Sequence, residues 1–234
     1  MHANNFFDLP DSLYHFSPFF PADEVPWHWL GTLEEALLAQ KNWKRKWTSF
    51  FRWGRKIFPE KRSIFLGKNV FLGKNVRLPL NCTIEDNVYI GAGTEIRSGA
   101  LIRKNVIIGE NCVIGNCCEI KHSLLMDRVQ VAHFNYVGDS ILGSDVHLAA
   151  GAILSNLRFD GKPVSIKVGE EKIATGLRKF GAILGERAQV GCNAVLLPGT
   201  LLGKNSIVSV GTVFGGFLEK NRRVYRPLEN IVQE

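Results

Sequence analysis

The sequence predicts a mainly β protein built as a parallel β-helix, a triangular coil of short strands, and two observations carry that prediction. From residue 66, aliphatic side chains recur every six positions: Leu66, Leu72, Leu78, Ile84, Ile90, Ile96, Ile102, Ile108, Ile114 and Ile120. Four positions after each of the first nine stands a small or β-branched residue, Val70, Val76, Cys82, Val88, Thr94, Ala100, Val106, Cys112 and Cys118. A second array runs Leu184, Val190, Leu196, Leu202, Val208, Phe214, with Ala188, Ala194, Thr200, Ser206 and Thr212 in the small slot.

A period of six fits neither a helix face nor a long flat strand, but it fits a short strand plus a turn. Three such units close a coil of about 18 residues, and successive coils stack about 4.8 Å apart through strand-to-strand hydrogen bonds. The large aliphatics then fill the prism and the small residues sit at its corners. Cys82, Cys112 and Cys118 occupy that small slot, which reads as tight packing.

The remaining elements follow in chain order. Residues 1–65 lie outside the repeat and read as an N-terminal helical cap. In it, "LGTLEEALLAQ" is a short amphipathic helix, and "KNWKRKWTSFFRWGRKIF" interleaves Trp43, Trp47, Phe50, Phe51, Trp53 and Phe58 with cations. Trp43, Trp47 and Phe50 or Phe51 fall at helical spacing. The favoured expectation is an aromatic stripe packed on the end of the β-helix, covering its open strand edges. Peripheral membrane contact through residues 41–62 is the sharper alternative, and nucleic-acid binding is not expected, since no RNA or DNA module accompanies the segment. Residues 66–216 form the β-helix with a disturbance around His133. Within it, 157–182 break the count, and "PVSIKVGEEKIATG" reads as an extruded hairpin. Residues 217–234 are expected to leave the helix as a tail.

Composition narrows the class. The 234 residues carry a formal net charge of +7, with 45% hydrophobic and 22% charged residues. Residues 41–62 alone hold nine Lys or Arg and one Glu, so the high pI belongs to one segment. No apolar run reaches the roughly 18 residues that span a bilayer, and the first residues show no secretory pattern. The five cysteines form no CxxC pair, and a reducing cytoplasm is the expectation.

The most informative stretch is "EIKHSLLMDRVQVAHFNYVGDSILGSDVHLAAGAILSN", residues 119–156, followed by "LRFDGKPVSIKV" and "RKFGAILGERAQVGCNAVLLPG". Its core, H-x-x-Y-x-G-D with a later Asn-x5-Lys, resembles the acetyltransferase domain of two groups. One is bacterial glucosamine-1-phosphate acetyltransferase/N-acetylglucosamine-1-phosphate uridyltransferase. The other is archaeal sugar-1-phosphate nucleotidylyltransferase with amino-sugar-1-phosphate acetyltransferase activity. The likeness covers about residues 66–226 and implies a left-handed coil, acetyl-CoA as donor and no catalytic metal.

Carried over by position, the resemblance implies His133 as the general base for the sugar amine, a task suited to an imidazole. Tyr136 and Asn156 would hold the sugar, Glu119 would lie near the amine, and Lys162 would meet the phosphate. Arg103 and Lys121 can also be read from spacing. They are 18 residues apart, each directly after an interior Ile, and so stack outward on one face as a phosphate-binding pair. Arg97, 24 residues from Lys121, falls on another face and is expected to be solvated. On the donor side the resemblance implies Ala150, with its backbone aimed at the thioester, then Cys192, Val210 and Arg226. Two departures stand out: His147 replaces the bacterial Asn, and Ser165 stands where the archaeal type has a second lysine. A zinc site from His122, His133 and His147 is not expected, because their gaps of 11 and 14 do not match the carbonic-anhydrase-like pattern.

The resemblance also implies a homotrimer. Residues 1–65 are too short for the nucleotidylyltransferase fold of the two-domain relatives, with only Gly31 before Gly54, so an acetyltransferase of this kind is expected to leave uridylylation to another protein. The expected function is transfer of acetyl to glucosamine-1-phosphate or galactosamine-1-phosphate, feeding UDP-N-acetylglucosamine-type nucleotide-sugar synthesis. The alternatives are a non-catalytic β-helix partner or scaffold of a nucleotidylyltransferase, and an acyltransferase on a nucleotide-linked amino sugar.

Overall fold

A computed structural model describes residues 1–40 and 65–225. Short parallel strands stack into three faces of a left-handed β-helix. The first face has eight strands, from Phe65–Leu66 to Val213–Phe214. The second has eight, from Val70–Leu72 to Phe217–Leu218. The third has seven, from Glu95–Ile96 to Arg223–Val224. The six-residue aliphatics point inward; those from Ile84 to Val208 are buried and Leu66, Leu72, Leu78 and Phe214 at the two ends are partly buried, forming one continuous core with Cys82, Ala100, Cys112, Cys118, Ala188 and Ala194 at its corners. Burial pushes the Cys112 thiol up to about 12, so these cysteines are packing groups.

The expected boundary at 216 does not hold. Phe217–Leu218 pairs with Thr200–Leu202, and Arg223–Val224 pairs with Ile207–Val208, so the coil runs on into the tail. The six-residue count ends at Phe214, but Leu218 and Val224 still pack on the core.

The N-terminal segment is also placed differently from expectation. Helix α1, His28–Ala39, buries Trp29, Leu30, Leu33, Ala36 and Leu37 against the second face rather than on the end of the coil. The cause is the alternation of side chains along each short strand. In Val70–Phe71–Leu72 the outer residues point in and the middle one points out. In register with Phe71 stand Tyr89, Ile107, Leu124, Ile141, Ile183, Leu201 and Phe217. This outward apolar column forms a second core with Phe6, Phe7, Phe16, Trp27 and Trp29, and with Val164 and Ile166 of the extruded hairpin. The hairpin itself pairs Ser165–Val168 with Glu171–Ala174 in antiparallel fashion. Polar contacts fix the segment: Glu186 N–H donates to Phe6 C=O at 2.9 Å, and Ser12 Oγ donates to Asp127 at 2.6 Å. The aromatic residues of the basic arm, Trp43 to Phe58, lie outside the described residues.

The disturbance expected at His133 lies elsewhere. Leu101 stands opposite Glu119, a step of 18, whereas Glu119 stands opposite Tyr136, a step of 17. Around His133 the ladder is unbroken, with Gln130 opposite Val113 and His133 opposite Asn116. The missing residues are at the corner between the first and second faces. In lower coils this corner ends on Asn69, Asn87 and Asn105, each with left-handed backbone, and their amides form a ladder at 3.1 and 3.2 Å. In the next two coils the corner is one residue shorter, and His122 (φ 47°) and Asp139 (φ 48°) take the left-handed position. One coil further on, between Leu154 and Ala182, the same corner opens into the extruded loop. All three irregularities are stacked on one edge of the prism.

Candidate active site

The shortened corner gathers a polar cluster. Arg103 and Lys121 are in register, the Arg103 N–H donating to Ile120 C=O at 2.8 Å, as the 18-residue spacing predicted. Arg103 Nη1 meets Glu119 Oε1 at 2.9 Å, and Lys121 Nζ meets Asp139 Oδ2 at 3.1 Å. Asn156 Nδ2 donates to Tyr136 OH at 3.1 Å and also to Asp139 Oδ2. The cluster borders a cleft of about 520 Å³ lined by Glu85, Arg103, Lys104, Asn105, Lys121, His122 and Asp139. Five predicted acceptor residues, Arg103, Glu119, Lys121, Tyr136 and Asn156, therefore share one patch.

Electrostatics of the patch follow from its contacts. Burial alone would push the Asp139 carboxyl up, but contacts from His122, Asn156 and Lys121 outweigh that and hold it below the usual carboxylate range. Burial first, and the Asp139 charge second, push the Tyr136 phenol up, so it remains a neutral hydrogen-bonding group. The Glu119 contact raises Arg103 further. Gly138 makes room for this arrangement: a Cβ there would stand 2.5 Å from Tyr136 OH and 2.7 Å from Asn156 Nδ2. Asp139, Gly138 and His122 carried no assigned role in the sequence reading, although the five-residue gaps Ile120–Leu125 and Val137–Leu142 mark the corner that holds them.

His133 occupies the opposite edge of the first face, at its corner with the third. No hydrogen bond joins it to the Arg103–Lys121 patch; Tyr136, three residues later, lies between. Backbone hydrogen bonds set a vertical column at this corner. Gly151 N–H donates to His133 C=O at 2.8 Å, Asn193 N–H to Ala150 C=O at 2.9 Å, and Gly211 N–H to Cys192 C=O at 2.8 Å. His133, Ala150, Cys192 and Val210 therefore stand at equivalent positions in successive coils. The Ala150 N–H has no partner among the described residues, and Cys192 and Val210 are exposed. Arg226 lies outside the described residues.

Two predicted residues are not brought to the patch within one chain. His147 is on the third face between Gln130 and Gln189, lining a separate cleft of about 400 Å³ beside the bidentate Arg128–Asp145 pair. Lys162 is exposed on the extruded loop, with its N–H donated to Asp160 Oδ1 at 3.2 Å. Arg97, expected to be solvated, pairs with Glu95 at 2.9 Å. Among the described residues no group of three or more His, Cys, Asp or Glu is arranged to hold a metal, and no helix is long and apolar enough to cross a membrane.

Comparisons with known proteins agree with the hexapeptide β-helix fold. A family model described as the EIF2B subunit epsilon LbH domain matches residues 67–169, and one described as the hexapeptide repeat of succinyl-transferase matches residues 181–214. The bifunctional protein GlmU of Methanococcus aeolicus is 38% identical over 115 residues, covering 49% of this chain and 28% of that protein. The bifunctional sugar-1-phosphate nucleotidylyltransferase/acetyltransferase of Sulfurisphaera tokodaii is 39% identical over 95 residues, covering 41% of this chain and 24% of the relative. The chain thus spans about a quarter of the length of these relatives. Among solved structures, the UDP-N-acetylglucosamine acyltransferase of Francisella novicida aligns with a TM-score of 0.43 at 19% identity, covering 68% of this chain and 59% of that one, a likeness too distant to bear on activity. The chain carries a left-handed β-helix built on hexapeptide repeats and is homologous, over about half of its length, to archaeal bifunctional GlmU and sugar-1-phosphate nucleotidylyltransferase/acetyltransferase proteins.

Proposed function

We propose that the protein transfers acetyl from acetyl-CoA to the amine of an amino-sugar-1-phosphate, glucosamine-1-phosphate or galactosamine-1-phosphate. One observation carries the reading: the first face has Arg103 and Lys121 at one edge, with Asn156 at the adjoining corner, and His133 at its opposite corner, and Tyr136 stands between them with its hydroxyl bonded to Asn156. A sugar phosphate held by Arg103 and Lys121, with Lys162 added, would direct its amine toward His133. The amine nitrogen attacks the thioester carbon as His133 takes the amine proton. The oxyanion is met by the free Ala150 N–H. Collapse of the tetrahedral adduct breaks the C–S bond, and the proton leaves with CoA thiolate. CoA would follow the Ala150, Cys192 and Val210 column toward Arg226. The chemistry uses no metal.

His147 and Lys162 would join the site from other copies in a homotrimer. Support comes from the faces: the second is covered by the chain's own N-terminal segment, while the first exposes Val213 and Leu197 in the coils above the patch. The product would serve a sugar nucleotidylyltransferase in the cytoplasm. The split of acceptor residues over two edges favours, as a second reading, a non-catalytic β-helix partner of such an enzyme. An acyltransferase on a nucleotide-linked amino sugar is the third. Thiol release from acetyl-CoA with each amino-sugar phosphate, and with UDP-linked amino sugars, separates them. Release with the sugar phosphates is expected; release only with nucleotide-linked sugars, or none from a folded assembly, would displace the reading.

A further inference from the structure

The cleft beside Arg103 and Lys121 has a charge problem. Its cations are Arg103, Lys104 and Lys121, and each is already engaged: Arg103 with Glu119, Lys121 with Asp139, and Lys104 within 3.9 Å of Asp86. Glu85 also lines the cleft. Counting Glu85 and the partners Glu119, Asp139 and Asp86, four carboxylates face three cations, so the cleft of one chain, before Lys162 is added, offers an anion no surplus positive charge.

His122 can supply it. The side chain lines the same cleft and is 30% exposed, yet its Nδ1 is inaccessible to solvent and has no good hydrogen bond. That atom lies 3.0 Å from Asp139 Oδ1, with the ring turned out of line for a hydrogen bond. A carboxylate oxygen this close favours the tautomer with its proton on Nδ1. The exposed part of the ring is then the Nε2 edge. In the neutral ring that edge is an acceptor and would repel an anion, whereas in the imidazolium it is a donor. The backbone at His122 is left-handed, at a corner where the three preceding coils use Asn.

We propose that His122, seated against Asp139, is a further acceptor-binding residue: as imidazolium it donates from Nε2 to the phosphate and supplies the charge the cleft lacks. Asp139 is a positioning residue that orients His122, Lys121 and Asn156. The inference rests on the reading that Arg103 and Lys121 receive a phosphate, and it makes anion binding depend on pH through one side chain.

Inorganic sulfate is the probe, because its charge stays constant across the range where histidine titrates. Sulfate affinity of the full-length protein is measured by calorimetry between roughly pH 5.5 and 8.5. The wild type should bind about tenfold more weakly at the alkaline end. His122→Asn, which gives the corner the residue its lower coils already use, should lose that slope and bind at the weak level throughout. His133→Gln should keep it. An unchanged slope in His122→Asn, or no sulfate binding by wild type at either end, would overturn the proposal. The readout needs no turnover, so failure of acetyl transfer and failure of this inference are told apart.

Discussion

Asp139 stands directly above His122, one shortened coil later, and both hold left-handed backbone at the corner between the first and second faces. The Asp139 side chain is only 7% exposed and meets Lys121, His122 and Asn156. Removing the carboxylate leaves Lys121 without its partner in a largely enclosed site. Asp139→Ala should lower stability by about 2–4 kcal/mol in denaturant titration.

The same carboxyl gives a pH signature. Its folded value lies below the ordinary one, so its contribution is fully present above the unfolded value of about 3.9 and fades as pH falls toward the folded value. Stability of the wild type should fall steeply below about pH 4. In Asp139→Asn that part of the acid loss should vanish, which thermal melts across pH 2.5–6 would register.

Gly138 offers a test that separates site from scaffold. A methyl at this position collides with the far ends of Tyr136 and Asn156 rather than with backbone. Gly138→Ala should change the melting temperature by only a few degrees, a stability change of about 1 kcal/mol, while raising KM for the sugar phosphate about tenfold. A large stability loss with unchanged KM would count against the site.

Arg103→Ala and Lys121→Ala should each raise acceptor KM by about tenfold to a hundredfold, the worth of a hydrogen bond to a charged group. Arg97→Ala, whose partner Glu95 lies on the third face, should stay within about twofold of wild type.

What the sequence made legible is the inward-facing half of the molecule. Ile84 to Ile120 recur at every sixth position because each strand sends one such side chain into the prism, so periodicity alone finds the core. The outward column from Phe71 to Phe217 recurs only once per coil, on one face of three, and in a count of six it looks like scattered aromatics. That is why the N-terminal segment was expected on the end of the coil rather than along the second face. The site was half legible. Arg103 and Lys121 follow from a step of 18, but the next step is 17, and a one-residue loss at Lys121–His122 cannot be located from periodicity when the following aliphatics simply resume. Asp139 and His122 meet across two such losses. His147 and Lys162 were matched by resemblance alone; His147 lies on the third face and Lys162 is exposed on the extruded loop, and no periodic pattern places either at the patch.

The account depends on His133 taking the proton from the attacking amine. Its most direct test is thiol release from acetyl-CoA with glucosamine-1-phosphate or galactosamine-1-phosphate, measured side by side for wild type and His133→Ala. Loss of general-base assistance predicts a fall in kcat of at least about a hundredfold, with an unchanged melting temperature. Equal turnover by the two proteins would contradict it.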